Sequence, residues 1–108
     1  EEKLSQRSAR LGKVLKSELE LIQQKYPIIT AVRGRGLFAA IDVRQDAFEG
    51  KAAYALMKML AARGVLCKTT HGHTLRMSPP LTIPESQLRK SLKIIESAVR
   101  ELDQQIQK

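Results

Sequence analysis

One long apolar stripe near the C-terminus constrains the fold of this chain more than any other feature. Its members recur at spacings of four and three residues, which is typical of an amphipathic helix, and they are Leu88, Leu92, Ile95, Val99, Leu102 and Ile106. A second helical stripe lies in residues 1–25 and contains Leu4, Leu11, Leu15, Leu19 and Ile22. Two amphipathic helices need an apolar layer to cover them, so the chain between them must supply it.

The intervening chain reads as short β-strands with one further helix. We predict strands over 28–32, 37–43, 65–68 and 74–77, with a helix over 51–63. The second strand is mostly apolar, so we expect it to be covered on both faces. The glycines of RGRG (residues 33–36) predict a bulge or a tight turn between the first two strands. The whole chain, residues 1–108, is therefore predicted to be a single α+β domain in the order α-β-β-α-β-β-α.

The helix ends have recognisable sequence signals. Tyr26-Pro27 should end the first helix, because the residue before a proline is pushed out of the α region. Gly64 stands where a C′ glycine would close the middle helix. Thr82 and Glu85 fit a capping box at the start of the last helix.

The net charge and the cysteine content limit the classes of protein to which this chain can belong. The net charge is +8, but the cations are dispersed and no aromatics are interleaved with them, which favours solvated helix faces. A nucleic-acid-binding module, an acidic neighbouring domain and anionic substrates are the alternatives. We expect no membrane partner, because no apolar run approaches the roughly 18 residues of a spanning helix. The charged opening shows no signal peptide, and the lone Cys67 suits a reducing compartment such as the mitochondrial matrix or cytoplasm.

Arg76 is the strongest candidate for a binding residue. Side chains alternate along a strand, so Leu75 and Met77 should face the core while Arg76 leaves it with Thr74. A guanidinium fork can hold a carboxylate through two parallel hydrogen bonds. A surface arginine or a structural ion pair would satisfy the same spacing, so the residues alone leave its role open.

The other polar candidates do not complete a catalytic site. His71 and His73 lack the further ligands that a metal needs, which favours a polar loop, although His71 could lie on the rim of an active site. Cys67 is expected to behave as a small buried hydrophobe, and nothing in the sequence desolvates Lys68 for Schiff-base chemistry. No nucleophile, base and orienting group converge, so the residues alone give neither a complete active site nor a metal-binding site.

Two motifs resemble the C-terminal segment of the ornithine aminotransferase family, within the class III, fold-type I aminotransferases that use pyridoxal 5′-phosphate. They are GVLCKTTHGHTLRMSPPL (residues 64–81) and, upstream, VRGRGL (residues 32–37), and the likeness extends from about Leu11 to Val99. The resemblance implies a small α+β domain that packs on a large cofactor-binding domain of the same chain, in a homodimer. It also implies that Arg76 binds the substrate carboxylate, and that a glutamate in the large domain masks Arg76 while ornithine is bound.

The activity implied by the resemblance is transfer of the δ-amino group of ornithine to 2-oxoglutarate, which gives glutamate semialdehyde and glutamate. The cofactor lysine and phosphate-binding loop of the family belong to the large domain, so the resemblance implies no catalytic or cofactor-binding residue in these 108 residues, which alone are expected to be inactive. Acetylornithine and 4-aminobutyrate aminotransferases are near alternatives, and the Thr70-His71-Gly72 turn favours the ornithine branch. His73 departs from the acidic residue common at its position, which affects loop polarity and not the reaction.

Overall fold

A computed structural model describes residues 2–44, 51–65, 67–70, 73–79 and 83–106 of the chain. Its elements are α1 (Glu2–Lys25), β1 (Ile29–Arg35), β2 (Phe38–Val43), α2 (Ala52–Ala62), β3 (Lys68–Thr70), β4 (Thr74–Met77) and α3 (Glu85–Ile106). The predicted α+β class and the order α-β-β-α-β-β-α are confirmed. The strands form one antiparallel sheet in the order β1-β2-β4-β3, so β4 lies between β2 and β3.

Strand boundaries differ from the prediction where cross-strand pairing decides them. β1 continues to Arg35, because Arg33, Gly34 and Arg35 pair with the first residues of β2 and leave the turn to Gly36 (φ +56°) and its neighbour. The predicted third strand over 65–68 is wrong. That strand is Lys68–Thr70, because these are the residues that pair with β4.

Two of the predicted helix ends are confirmed. α1 ends at Lys25, directly before Tyr26-Pro27. α2 ends in a Schellman motif, in which Gly64 (φ +89°) donates to the Ala61 carbonyl at 3.1 Å and Val65 donates to the Leu60 carbonyl at 2.8 Å. Glycine is favoured at this position because the left-handed backbone conformation is strained for other residues.

The start of α3 differs from the predicted capping box. Glu85 is the first helical residue instead of the third, and the Pro84 carbonyl accepts the first helical hydrogen bond, from Leu88 at 3.0 Å. The Glu85 carboxylate contacts Arg10 of α1 and Arg89 one turn along α3. Thr82, the predicted N-cap, lies outside the described residues.

The three helices share one apolar core with a single face of the sheet. Helix stripes and the inward residues of the strands form one cluster, whose largest fully buried members are Leu11, Leu15, Leu19, Ile28, Ile41, Leu56, Leu60, Leu75, Leu88 and Leu102. The prediction that β2 is covered on both faces does not hold within these residues, which cover only one face. Its second face carries Phe38, Ala40 and Asp42, of which only Ala40 is buried, and Ala40 lies outside the core cluster.

Glycine lets α1 approach the β1–β2 turn closely. A Cβ atom on Gly12 would lie 2.0 Å from the Gly36 carbonyl oxygen, so the helix backbone and the turn backbone are in direct contact. This contact fixes the RGRG segment against α1. In the part of the chain that the structure describes, no helix is both long and apolar enough to cross a membrane.

Candidate carboxylate-binding face

The face of the sheet opposite the helices carries most of the polar chemistry of the four strands. Residues paired directly across antiparallel strands point to the same side, so the register identifies this surface. We call it the open face, and its described members are Ala31, Arg33, Arg35, Phe38, Ala40, Asp42, Lys68, Thr70, Thr74 and Arg76.

Arg76 lies in a row of residues that crosses all four strands. Ala40 pairs with Arg33 on one side and with Arg76 on the other, and Arg76 also pairs with Lys68. Three cations therefore share one row, with the small Ala40 side chain separating the two arginines. An anion that approached this row would meet the charges of Arg76 and Lys68 from two neighbouring strands, whereas the charge of Arg33 is paired with Asp42.

The Arg76 side chain is exposed, as the alternation predicted, while Leu75 and Met77 are buried in the core. Its guanidinium carbon lies over the Phe38 ring, 5.0 Å from the ring centroid. Among the described residues, Arg76 has no hydrogen-bond or ion-pair partner. A guanidinium in this state keeps its N–H donors available for a ligand.

A pocket of ≈ 820 Å³ opens beside Arg76 at the β3–β4 edge of the sheet. The residues that line it offer cations, hydroxyls and a thiol, and they are Cys67, Lys68, Thr69, Thr70, Arg76 and Ser78. Burial raises the pKa of the Cys67 thiol to about 11, so it is protonated at neutral pH. Cys67 packs against the core cluster as a small hydrophobe, but it is half-buried and not buried as predicted.

A second cluster of polar side chains on the open face, Arg33, Asp42 and Thr74, connects β1, β2 and β4. Arg33 holds Asp42 with two hydrogen bonds, of 2.7 Å to Oδ2 and 2.9 Å to Oδ1, and the Thr74 hydroxyl donates to Oδ1 at 2.7 Å. Partial burial raises the pKa of the Asp42 carboxyl, but the hydrogen bonds from Thr74 and Arg33 and the charge of Arg33 outweigh it and hold that pKa below its ordinary value. Asp42 is therefore an ionised, fully engaged carboxylate.

Of the two histidines considered as candidates, the structure describes only His73. His73 lies directly before β4, and its backbone carbonyl accepts a 2.8 Å hydrogen bond from Val43. His71, the predicted rim residue, lies outside the described residues. Within the described ranges no three His, Cys, Asp or Glu side chains come together as a metal site.

The helices contribute ion pairs on other surfaces of the molecule. Lys25 contacts Glu96 at 3.0 Å, Arg10 contacts Glu85 at 2.6 Å, and Arg63 contacts Glu101. Part of the positive charge is thus paired with the carboxylates of the chain itself. Arg76, Lys68 and Arg35 on the open face have no such partner among the described residues.

Sequence reasoning found Arg76 but missed Phe38 and the group formed by Arg33, Asp42 and Thr74. One signal was present, since Asp42 is an acidic residue inside an otherwise apolar strand and needs a partner there. The identity of that partner depended on the strand order, which places β1 and β4 on either side of β2.

Known proteins resemble this chain in both sequence and structure. Residues 1–99 match the family described as Aminotransferase class-III. The ornithine aminotransferase of Schizosaccharomyces pombe is 42% identical over 102 residues, which cover 94% of this chain and 23% of the relative. The mitochondrial ornithine aminotransferase of Arabidopsis thaliana is 42% identical over 104 residues, covering 95% of this chain and 22% of the relative.

Solved structures of aminotransferases also resemble this chain. An acetylornithine aminotransferase from Elizabethkingia anophelis has a TM-score of 0.85 and 42% identity, and the match covers 93% of this chain and 25% of that protein. The ornithine δ-aminotransferase of Plasmodium falciparum has a TM-score of 0.87 and 27% identity, over 96% of this chain and 26% of that protein. The chain spans about a quarter of the length of the relatives it matches. It belongs to the class-III aminotransferase family.

Proposed function

We propose that residues 1–108 are the small C-terminal domain of an ornithine aminotransferase. The complete enzyme would transfer the δ-amino group of ornithine to 2-oxoglutarate, with glutamate semialdehyde and glutamate as products. The names of the curated relatives support ornithine as the amino donor, and the fraction of their length that is matched supports a domain of a larger chain. The observation that carries the proposal is the unpaired Arg76 on the open face beside the pocket.

Arg76 would bind a carboxylate of glutamate or 2-oxoglutarate. Its planar guanidinium can donate two parallel hydrogen bonds to the two carboxylate oxygens, which fixes both the position and the orientation of the substrate. Lys68 lies directly opposite Arg76 and adds a second positive charge to the same pocket. When the large domain covers the open face and excludes water, this charged contact becomes stronger, because the local dielectric constant falls.

The described residues of the open face fit a substrate carboxylate but do not fit pyridoxal 5′-phosphate. Their one carboxylate is Asp42, which already accepts hydrogen bonds from Arg33 and Thr74 and is not available for a pyridine nitrogen. We therefore assign the cofactor to the large domain, where it would supply the electron sink for amino transfer when bound. The mention of the cofactor in the name of a Toxoplasma gondii ornithine aminotransferase structure supports its presence in the complete enzyme.

We further propose the partners and the compartment of the complete enzyme. The open face would pack on the large domain of the same chain, the complete enzyme would be a homodimer, and the 108 residues alone would be inactive. We place the enzyme in the mitochondrial matrix or the cytoplasm, because the plant relatives are named mitochondrial and the fungal ones are not.

An acetylornithine aminotransferase is the second candidate, because one such enzyme is 42% identical to this chain. The full-length enzyme, loaded with pyridoxal 5′-phosphate, should be given ornithine, N-acetylornithine or 4-aminobutyrate as donor and 2-oxoglutarate as acceptor. We expect glutamate and an aldehyde product to form fastest with ornithine. A faster reaction with N-acetylornithine would refute the ornithine assignment and keep the role of Arg76, whereas no dependence on 2-oxoglutarate would refute both.

A further inference from the structure

Two side chains of β2 on the open face can each attract an arginine. They are Phe38 at the start of the strand and Asp42 near its end. Arg33 on β1 and Arg76 on β4 both pair with Ala40, so each lies one diagonal step from Phe38 and one diagonal step from Asp42. Diagonal neighbours on one face are within reach of long side chains. The register alone would thus allow either arginine to bind Asp42.

The two arginines turn in opposite directions. Arg33 takes the Asp42 carboxylate with both of its terminal nitrogens, and the Thr74 hydroxyl adds a third hydrogen bond to Oδ1. Because these three donors engage both carboxylate oxygens and reduce the net charge there, Asp42 offers Arg76 little further attraction. Arg76 instead lies over the ring of Phe38, on the far side of Ala40 from Asp42.

Contact with an aromatic ring suits an arginine that must bind a ligand. The negative face of the ring attracts the guanidinium, but it does not occupy the N–H donors as a carboxylate would. An ion pair with Asp42 would have to be broken each time a substrate carboxylate entered. The contact with Phe38 fixes the Arg76 side chain and leaves its hydrogen-bonding edge available.

We propose that Phe38 is a positioning residue for Arg76, which fixes the guanidinium over its ring with the N–H donors available for the substrate carboxylate. This role rests on the proposed function for the identity of the substrate. Phe38 is 37% exposed and lies outside the core cluster, so its replacement changes the contact with Arg76 without opening a core cavity. The role therefore predicts an effect on the binding of dicarboxylate substrates that depends on Arg76.

The test uses the full-length enzyme with bound cofactor, with Phe38→Leu to remove the ring and Phe38→Tyr to retain it. Single-turnover kinetics with glutamate and with ornithine separate the half-reaction that needs Arg76 from the one that does not. For Phe38→Leu we expect the second-order rate constant with glutamate to fall about two- to fivefold, the size of a partly exposed cation–π contact. Phe38→Tyr should stay close to the wild type, and the rate with ornithine should be unchanged in both variants.

The same substitution in an Arg76→Ala background shows whether Phe38 acts through Arg76. We expect no additional loss with glutamate from Phe38→Leu in that background, because the contact no longer exists. An undiminished additional loss, or a single Phe38→Leu variant equal to the wild type, would overturn the positioning role. If Arg76→Ala alone left the glutamate reaction unchanged, the proposed function of Arg76 would fail instead, so the two failures are distinguishable.

Discussion

Replacing Gly12 with alanine should destabilise the fold, although alanine favours helices. Gly12 is buried in α1, and the added Cβ would lie 2.0 Å from the oxygen, 2.5 Å from the carbon and 2.9 Å from the Cα of Gly36. All three contacts are with backbone atoms, so no side-chain rotation can relieve them. Either α1 must move away from the sheet by about 1 Å or the β1–β2 turn must change its conformation.

The expected change in the free energy of unfolding is the difference between two opposing effects. Alanine in place of glycine stabilises a helix interior by about 1 kcal/mol. Overpacking at a rigid site costs about 3 kcal/mol, at the upper end of the usual range, because Gly36 (φ +56°) cannot easily adapt. We therefore expect Gly12→Ala to lower the free energy of unfolding by about 2 kcal/mol, which corresponds to a fall in melting temperature of roughly 10 °C for a domain of this size.

Urea denaturation of the purified chain, followed by circular dichroism, measures this difference. Ser17→Ala is the matched control, because Ser17 is an exposed residue of the same helix and its replacement should change stability by less than about 0.5 kcal/mol. A Gly12→Ala chain as stable as the wild type would refute the close contact between α1 and the β1–β2 turn.

Two further predictions follow from the titrating groups. The lowered pKa of Asp42 means that its contribution to stability is present above the ordinary carboxyl pKa and is lost as pH falls through the folded-state pKa. The stability gap between the wild type and Asp42→Asn, measured in urea, should therefore shrink from pH 7 to pH 2, and a gap that widens in acid would contradict the network. The Cys67 thiol, with a pKa of about 11, should react with iodoacetamide at pH 8 roughly tenfold more slowly than a free cysteine, since its low thiolate fraction outweighs its higher nucleophilicity. Equal alkylation rates, measured by mass spectrometry, would contradict the raised pKa of this half-buried thiol.

Local patterns predicted the helices and the outward direction of Arg76. The stripes of α1 and α3 follow the helical period, and Tyr26-Pro27 and Gly64 end their helices for reasons that lie within a few residues of chain. The alternation of Leu75, Arg76 and Met77 is equally local. These features required no knowledge of which strands are neighbours.

The features that depend on strand pairing could not be read from the sequence. β-branched and apolar residues over 65–68 predicted a strand there, but pairing with β4 moves the strand to Lys68–Thr70. The row that joins Arg33, Ala40, Arg76 and Lys68 exists only because β4 lies between β2 and β3. The bonds of Asp42 and the contact between Phe38 and Arg76 follow from the same non-local register.

The most direct test of the carboxylate-binding role of Arg76 is a comparison of the two half-reactions in the full-length enzyme carrying Arg76→Ala. Losing a desolvated, bidentate carboxylate contact should reduce the single-turnover rate constant with glutamate by at least about thirtyfold, equivalent to about 2 kcal/mol or more. Arg100→Ala is the matched control, because Arg100 is an exposed arginine of α3, on the helical side of the sheet and away from the open face. We predict a large loss with glutamate for Arg76→Ala, a small change with ornithine, and near-normal rates for Arg100→Ala. A wild-type rate with glutamate in the Arg76→Ala enzyme would contradict the assignment of Arg76 as the residue that binds the substrate carboxylate.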